Sequence, residues 1–449
     1  MGFASKYIAR HIFREDLFIS EPPDSNLGMI LIIPCYNEPD IVLTLNSLTQ
    51  CTSTSKSAEV IIVINAPENA SPEIKSTNFR SHQAIKELSA ISSSKLKFHC
   101  LHASDLPAKW AGAGLARKIG MDEAVRRFEL LDYPDGIIIS LDADCRVEPN
   151  YLVEIEKTFR NNKRVNACTI YFEHPVNGEE FPQQVYEGIT LYELYMRYYR
   201  QSLLFAGFPH AIHTVGSAFA VKASAYIRQG GMNRKQAGED FYFLQKLIPL
   251  GGITELNTTK VIPSCRLSDR VPFGTGPALK KWVEGIRELD KAYAFQAFTD
   301  LKVFFTRISS LYRISPADFD ILLTQLPLSV SSFLKAEDFY ATITELGNNC
   351  SSPQIFTRRF WHLFNAFKIL KFLNFTREQF YESQELVKVC HELFEAIRSS
   401  QNENYAIELS PMLSKYSGSK AQDHDYGIYS AKEFLNILRE IDRTVIINI

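Results

Sequence analysis

Three unbroken apolar runs mark out the first third of the chain: Gly28-Met-Ile-Leu-Ile-Ile-Pro34, Val60-Ile-Ile-Val-Ile64 and Gly136-Ile-Ile-Ile-Ser-Leu141. Each has strand length, lacks polar alternation and stops at a polar turn, the pattern of a strand buried on both faces. Helical spacing fills the gaps. Ile41, Leu45 and Leu48 share one side, a second helix is expected near Ser81–Ile91, and a short strand follows at Leu96–Leu101. Further strands are expected at Val165–Phe172 and Thr214–Lys222, with a helix over Tyr186–Phe205 between them. Strands alternating with helices predict an α/β fold, a mainly parallel sheet covered on both faces. From residue 277 the strand signals vanish. Ser315-Pro-Ala-Asp318, Thr376-Arg-Glu-Gln379 and Ser430-Ala-Lys-Glu433 read as helix starts. The expected organisation is a lead-in over 1–27, an α/β domain over 28–276 and an α-helical domain over 277–449. A polar loop is expected near Ser410–Tyr429.

Composition narrows this picture modestly. At 449 residues the chain exceeds what one core usually serves. With 45% apolar and 22% charged residues it is of ordinary globular make-up, and a net charge of −2 gives no electrostatic case for nucleic acid. The eight cysteines are scattered without a C-x-x-C pair, which reads as neither a disulfide framework nor a zinc site. Such usage suits a reducing compartment. The first residues lack an apolar core of signal-peptide type, and Phe360–Phe375, the greasiest stretch, is broken by His362, Asn365, Lys368 and Lys371. No membrane span is expected.

Ligand sites of open α/β sheets lie at the carboxyl ends of their strands. Here those ends are Pro34-Cys-Tyr-Asn-Glu38, Asn65-Ala-Pro-Glu68 and Asp142-Ala-Asp144. Strand alternation would put Asp142 and Asp144 on one face, where like charges call for a cation or a shared proton. A hard divalent ion answers that need, and an acidic turn answers it equally at this stage. Small residues from Ala111 to Gly114 open a helix carrying Arg117 and Lys118; they allow either close ligand approach or close packing. Tyr192, Tyr195 and Tyr199 share a helical face, more simply read as packing than as a ligand platform. Glu239 and Asp240 stand at a helix start, where acids also complement the helix dipole. Arg266 and Arg270 lie in a loop rich in Pro and Gly, free to close over an anion or to be solvated.

Taken in order, these motifs resemble those of inverting glycosyltransferases of family 2, with the GT-A fold. The resemblance rests on Ile32-Ile-Pro34-Cys-Tyr36-Asn37-Glu38, Gly112-Ala-Gly-Leu-Ala-Arg117, Asp142-Ala-Asp144 with Pro149-Asn-Tyr-Leu, Gly216-Ser-Ala-Phe219, Gly230-Gly231 and Glu239-Asp240. It spans about residues 28–275 and none of the helical tail; single motifs are weak, and their order is what specifies. The resemblance implies a nucleotide-diphospho-sugar transferase fold, Rossmann-like with a mixed, mainly parallel sheet. It implies a divalent cation, Mn²⁺ or Mg²⁺, held by Asp144 with Asp142 shared between metal and nucleotide. Asp240, beside Glu239, is implied as the general base of a single displacement. Pro34, Tyr36, Glu38, Asn65, Arg117, Gly216, Arg266 and Arg270 are implied to line the site for a UDP- or GDP-sugar.

The chain departs from the family in three ways. Asn65 stands where an acid often grips uracil, Lys118 stands where Asn is usual and would add a cation near the nucleotide, and the Gln-x-x-Arg-Trp motif of the processive branch is absent. Single-sugar transfer to an acceptor hydroxyl is therefore expected, the acceptor being a small molecule, a lipid or a glycan. Two other readings compete: a catalytically idle nucleotide-sugar-binding or scaffolding protein, and a sugar nucleotidyltransferase. The latter's Gly-rich basic loop after the first strand is missing here. A cytoplasmic location is expected. Lys280-Lys281-Trp282 leaves room for peripheral contact at the inner membrane face, though a solvated helix face explains it as well.

Overall fold

The computed structural model describes residues 2–91, 96–235, 238–272, 274–399, 430–444 and 449. Eight strands, β1 (Leu27–Cys35), β2 (Ser57–Pro67), β3 (Leu96–Leu106), β4 (Ile137–Ser140), β5 (Arg146–Val147), β6 (Ala167–Phe172), β7 (Phe219–Lys222) and β8 (Ile253–Ile262), form one sheet in the order β3-β2-β1-β4-β7-β6-β8-β5. The apolar runs form the parallel half, with Ile32 of β1 opposite Ile61 of β2 and Ser140 of β4. Their side chains are shut off from solvent, as continuous apolar strands require. β7 is antiparallel to both β4 and β6, so the sheet is more mixed than the alternation alone suggests.

Helices α1 (Ser5–His11), α2 (Ile41–Thr49), α3 (Pro72–Ile91), α4 (Ala113–Leu130), α5 (Tyr151–Asn161), α6 (Gln183–Phe205), α7 (Ala223–Arg228), α8 (Glu239–Leu247) and α9 (Thr275–Val283) accompany the strands. α3 begins nine residues before the expected Ser81, because Ser71 and Pro72 start it: the Ser71 hydroxyl accepts from the Ile74 N–H at 3.4 Å. The lead-in is structured too. Tyr7 of α1 donates to Asp122 of α4 at 2.8 Å.

The chain forms two compact units. Among the described residues, the first holds the chain up to Ile189, His213–Glu284 and Ile449. The second holds Thr190–Ile212 and the described residues from Gly285 to Thr444. The division falls at Glu284 rather than 276, and it passes through α6, which runs unbroken across Ile189 and Thr190. The last residue returns to the sheet unit, where Ile449 and Ile253 exchange backbone hydrogen bonds of 2.8 and 2.9 Å.

Besides its share of α6, the second unit holds, among the described residues, α10 (Phe295–Phe305), α11 (Pro316–Gln325), α12 (Leu328–Ala336), α13 (Phe339–Asn348), α14 (Pro353–Leu363), α15 (Ala366–Gln379), α16 (Leu386–Ser399) and α17 (Ala431–Thr444), with a short two-stranded pairing at Lys291–Ala292 and Gln384–Glu385. Its core is aromatic. Phe304 meets Phe339, Phe360 and Phe364 at centroid distances of 5.4–6.1 Å. The Ser315 and Ser430 caps form, each accepting from a backbone N–H three residues on. The Thr376 cap does not: Thr376 lies buried inside α15 and donates to the Leu373 carbonyl at 2.9 Å. The helix had already been started at Asn365, whose side chain accepts from two N–H groups. The stretch Ser410–Tyr429 lies outside the described residues. No described helix is long and apolar enough to cross a membrane.

Candidate functional site

β4 ends at Ser140, two residues before Asp142, so strand alternation cannot orient the two aspartates. They occupy a turn instead, and each faces a different arginine group. Asp142 accepts from Arg117, while the Asp144 carboxylate lies 3.5 Å from Arg266 and 3.6 Å from Arg270. They still feel each other. Burial, then the charges of Asp142 and Glu38, push Asp144 up to about 6 against the pull of Arg270 and Arg266.

Arg117 is the hub of the first group. It enters from α4, is 3% exposed, and donates to Asp142, to Glu239 and, at 3.0 Å, to the Ser140 hydroxyl. That hydroxyl in turn donates to the Gly216 carbonyl at 2.6 Å. Burial opposes the guanidinium charge, and Asp142, Glu239 and Asp240 more than offset it, so Arg117 stays charged. Its neighbours leave no room for a side chain at position 216. A Cβ there would lie 2.9 Å from the Arg117 guanidinium and 3.0 Å from the Asp240 carboxylate. Burial raises Asp240, Arg117 pulls it back and Asp142 raises it further. Glu239 is raised in the same way by burial and by Asp240, but it is buried and bound to Arg117.

Glu38 is the hub of the second group. Asn37 turns the chain after β1 with φ +49°, a left-handed conformation that Asn tolerates, and its N–H donates to Asn78 of α3 at 2.9 Å. This turn sends Glu38 inward, 1% exposed, where it accepts from both Arg266 (2.8 Å) and Arg270 (3.0 Å). Burial works against its charge, and the Arg266 hydrogen bonds with the two guanidinium charges hold Glu38 below the usual carboxylate range. Arg270 also donates to the Tyr36 carbonyl at 2.9 Å, and Pro34 lies within β1 just before. Asn65 lies two residues before the end of β2, almost fully buried; its carbonyl accepts from Asn78 at 3.1 Å, and its side-chain oxygen has no partner among the described residues.

One expectation fails here. Lys118 is not a cation near the nucleotide side. One residue past Arg117 the helix has rotated about 100°, and Lys118 is buried against Asp122 at 2.9 Å beside Tyr7. The small residues of α4 serve packing: a Cβ on Gly114 would strike the Lys235 carbonyl at 2.1 Å, and one on Gly120 would strike Ile32 at 2.5 Å. Sequence reasoning also passed over Asn78, Ser81 and Ser140, which hold the motif residues in place. Ser81 donates to the Glu38 carbonyl at 2.7 Å. No motif contains these residues, and only the late start of the expected helix hid Asn78.

Residues 30–229 match the sequence model of glycosyl transferase family 2. The match takes in a little under half of the chain and most of its sheet. The protein is a glycosyltransferase with a GT-A-like fold, a mixed, largely parallel sheet followed by a helical region. No curated protein sequence matched the chain. Among solved structures, the 1–349 fragment of S. aureus TarS in complex with UDP-GlcNAc is 15% identical, covering 93% of this chain and 90% of that chain with a TM-score of 0.38. The same fragment in complex with UDP is 13% identical, covering 72% and 92%, with a TM-score of 0.33.

Proposed function

We propose that this glycosyltransferase moves one sugar from a nucleoside-diphosphate sugar to an acceptor hydroxyl by direct displacement with inversion, and that a divalent cation, Mn²⁺ or Mg²⁺, is held by Asp144 with Asp142. The observation that carries the reading is Asp144: a part-buried carboxylate, its side chain 30% exposed, beside the charges of Asp142 and Glu38 and met by its arginines only at 3.5–3.6 Å. Such a group is under-compensated, and its hard oxygen donors fit a hard divalent ion. Once bound, the ion would neutralise the leaving diphosphate.

The chain's own residues supply the rest. Arg266 and Arg270, paired to Glu38 from a loop after β8, suit a diphosphate that competes for their donors. The unpartnered Asn65 oxygen suits the N–H of a nucleobase. Asp240 is the proton acceptor: its raised proton affinity favours taking the hydroxyl proton, and the Arg117 charge stabilises the neighbouring carboxylates meanwhile. Glu239 accepts from Arg117 and holds it in place.

The test is release of nucleoside diphosphate from UDP- and GDP-sugars with Mn²⁺ or Mg²⁺. Asp240→Asn should bind the donor as wild type does and lose transfer. Loss of donor binding in that variant, or nucleotide binding without turnover for any acceptor, would contradict the reading.

A further inference from the structure

A second cluster lies at the edge of the sheet, where α3 covers β3. His82 comes from α3; Cys100 and His102 come from β3, two residues apart and so on one face of the strand. Their ligand atoms all lie within 4.8 Å of one another, and among the described residues no other His, Cys, Asp or Glu trio converges this closely. His102 Nε2 is the shared vertex: it lies 3.1 Å from His82 Nδ1 and 3.7 Å from Cys100 Sγ.

Those separations have a specific chemical meaning. A tetrahedral ion with metal–nitrogen bonds of about 2.05 Å and a metal–sulfur bond of about 2.3 Å has edges of about 3.3 Å between nitrogens and about 3.6 Å between nitrogen and sulfur. The two edges seen differ from these by a few tenths of an ångström. A hydrogen bond between neutral imidazoles would explain the first contact, but His102 Nε2 then has its one hydrogen or its one lone pair engaged and has no second to share with the thiol.

We propose that His82, Cys100 and His102 bind one divalent transition-metal ion of borderline softness, Zn²⁺ being the natural occupant, with solvent as the fourth ligand. Imidazole and thiolate select such ions over Mg²⁺ and Mn²⁺, which prefer oxygen. Binding displaces the Cys100 thiol proton: the S–H bond breaks, a sulfur–metal bond forms and one proton leaves to solvent. The consequence is mechanical. α3 also carries Asn78 and Ser81, which hold Asn37, Asn65 and Glu38, so the ion would fasten to β3 the helix that braces the donor side. The scattered cysteines had concealed this, since the ligands come from a strand pair and a helix about twenty residues upstream rather than from a C-x-x-C motif.

The test uses the full chain, stripped of metal and titrated with Co²⁺ and then Zn²⁺. One equivalent of Co²⁺ should give a thiolate-to-cobalt charge-transfer band and tetrahedral visible bands, release one proton, and be displaced by Zn²⁺. Cys100→Ser should abolish the charge-transfer band, and His82→Gln should weaken binding by about tenfold or more. Asp144→Asn should leave the band intact, which separates this site from any cation at Asp142 and Asp144. The proposal is overturned if wild type shows no band and no proton release, if the band survives Cys100→Ser, or if Asp144→Asn removes it.

Discussion

The two ionic groups around the strand end of β4 are built with opposite polarity. One buried cation, Arg117, faces three carboxylates, those of Asp142, Glu239 and Asp240. One buried anion, Glu38, faces two arginines. The difference that matters is where the cations come from. Arg117 is fixed on a helix with its side chain 4% exposed, whereas Arg266 and Arg270 come from a loop and are each 23% exposed. A buried charge deprived of its partners is costly, while a part-exposed guanidinium on a loop exchanges one partner for another more readily. Arg117 therefore belongs to the fold as much as to the site. The loop arginines are held in reserve on Glu38, beside Asp144, and can be given up to an incoming diphosphate.

This contrast can be broken experimentally. The largest effect falls on turnover: Asp240→Asn should lower kcat by about 10²–10⁴, the usual worth of a positioned general base, with donor KM little changed. Next comes stability. Arg117→Met strands Glu239 and Asp142 and should cost about 3–5 kcal/mol in denaturant unfolding. Arg266→Ala and Arg270→Ala each leave Glu38 its other arginine and should each cost less, about 1–3 kcal/mol, while raising donor KM. If the loop variants unfold as readily as Arg117→Met, the distinction between fixed and exchangeable cations is wrong.

The smallest effect concerns pH. Asp144 titrates near 6 in the folded chain against an ordinary value of 3.8. Between those values the native state holds the extra proton, so stability falls as pH rises through the window and the cost is fully present above it. Each pK unit is about 1.4 kcal/mol, and partial exposure of the carboxylate reduces the sum. Asp144→Asn should thus stabilise the metal-free protein by about 1–2 kcal/mol at pH 7–8, and the gain should vanish near pH 4. A melting series of the two proteins across pH checks this. A gain that is unchanged at pH 4 would assign it to something other than the Asp144 charge.

Much of the sheet unit was legible because buried parallel strands leave continuous apolar runs and their polar ends are abrupt. The site residues came from those ends and from the order of the motifs, and Glu38, Arg117, Asp142, Asp240, Arg266 and Arg270 do come together in two adjoining groups. What stayed hidden depends on three-dimensional detail. The turn at Asp142 ended the strand two residues early, one step of helix rotation carried Lys118 away, and the antiparallel β7 inserted between β4 and β6 without any local signal. The capping pattern at Thr376 misled because a helix begun at Asn365 ran straight through it.

The central claim is that the strand-end aspartates form a cation-dependent donor site. The most direct test is calorimetric titration of UDP and of GDP into wild type and Asp144→Asn, each with and without Mn²⁺. We expect at least one nucleotide to bind wild type much more tightly with Mn²⁺ than without, and Asp144→Asn to lose that difference. Equal binding with and without the ion in wild type, or a Mn²⁺ enhancement preserved in Asp144→Asn, would contradict it.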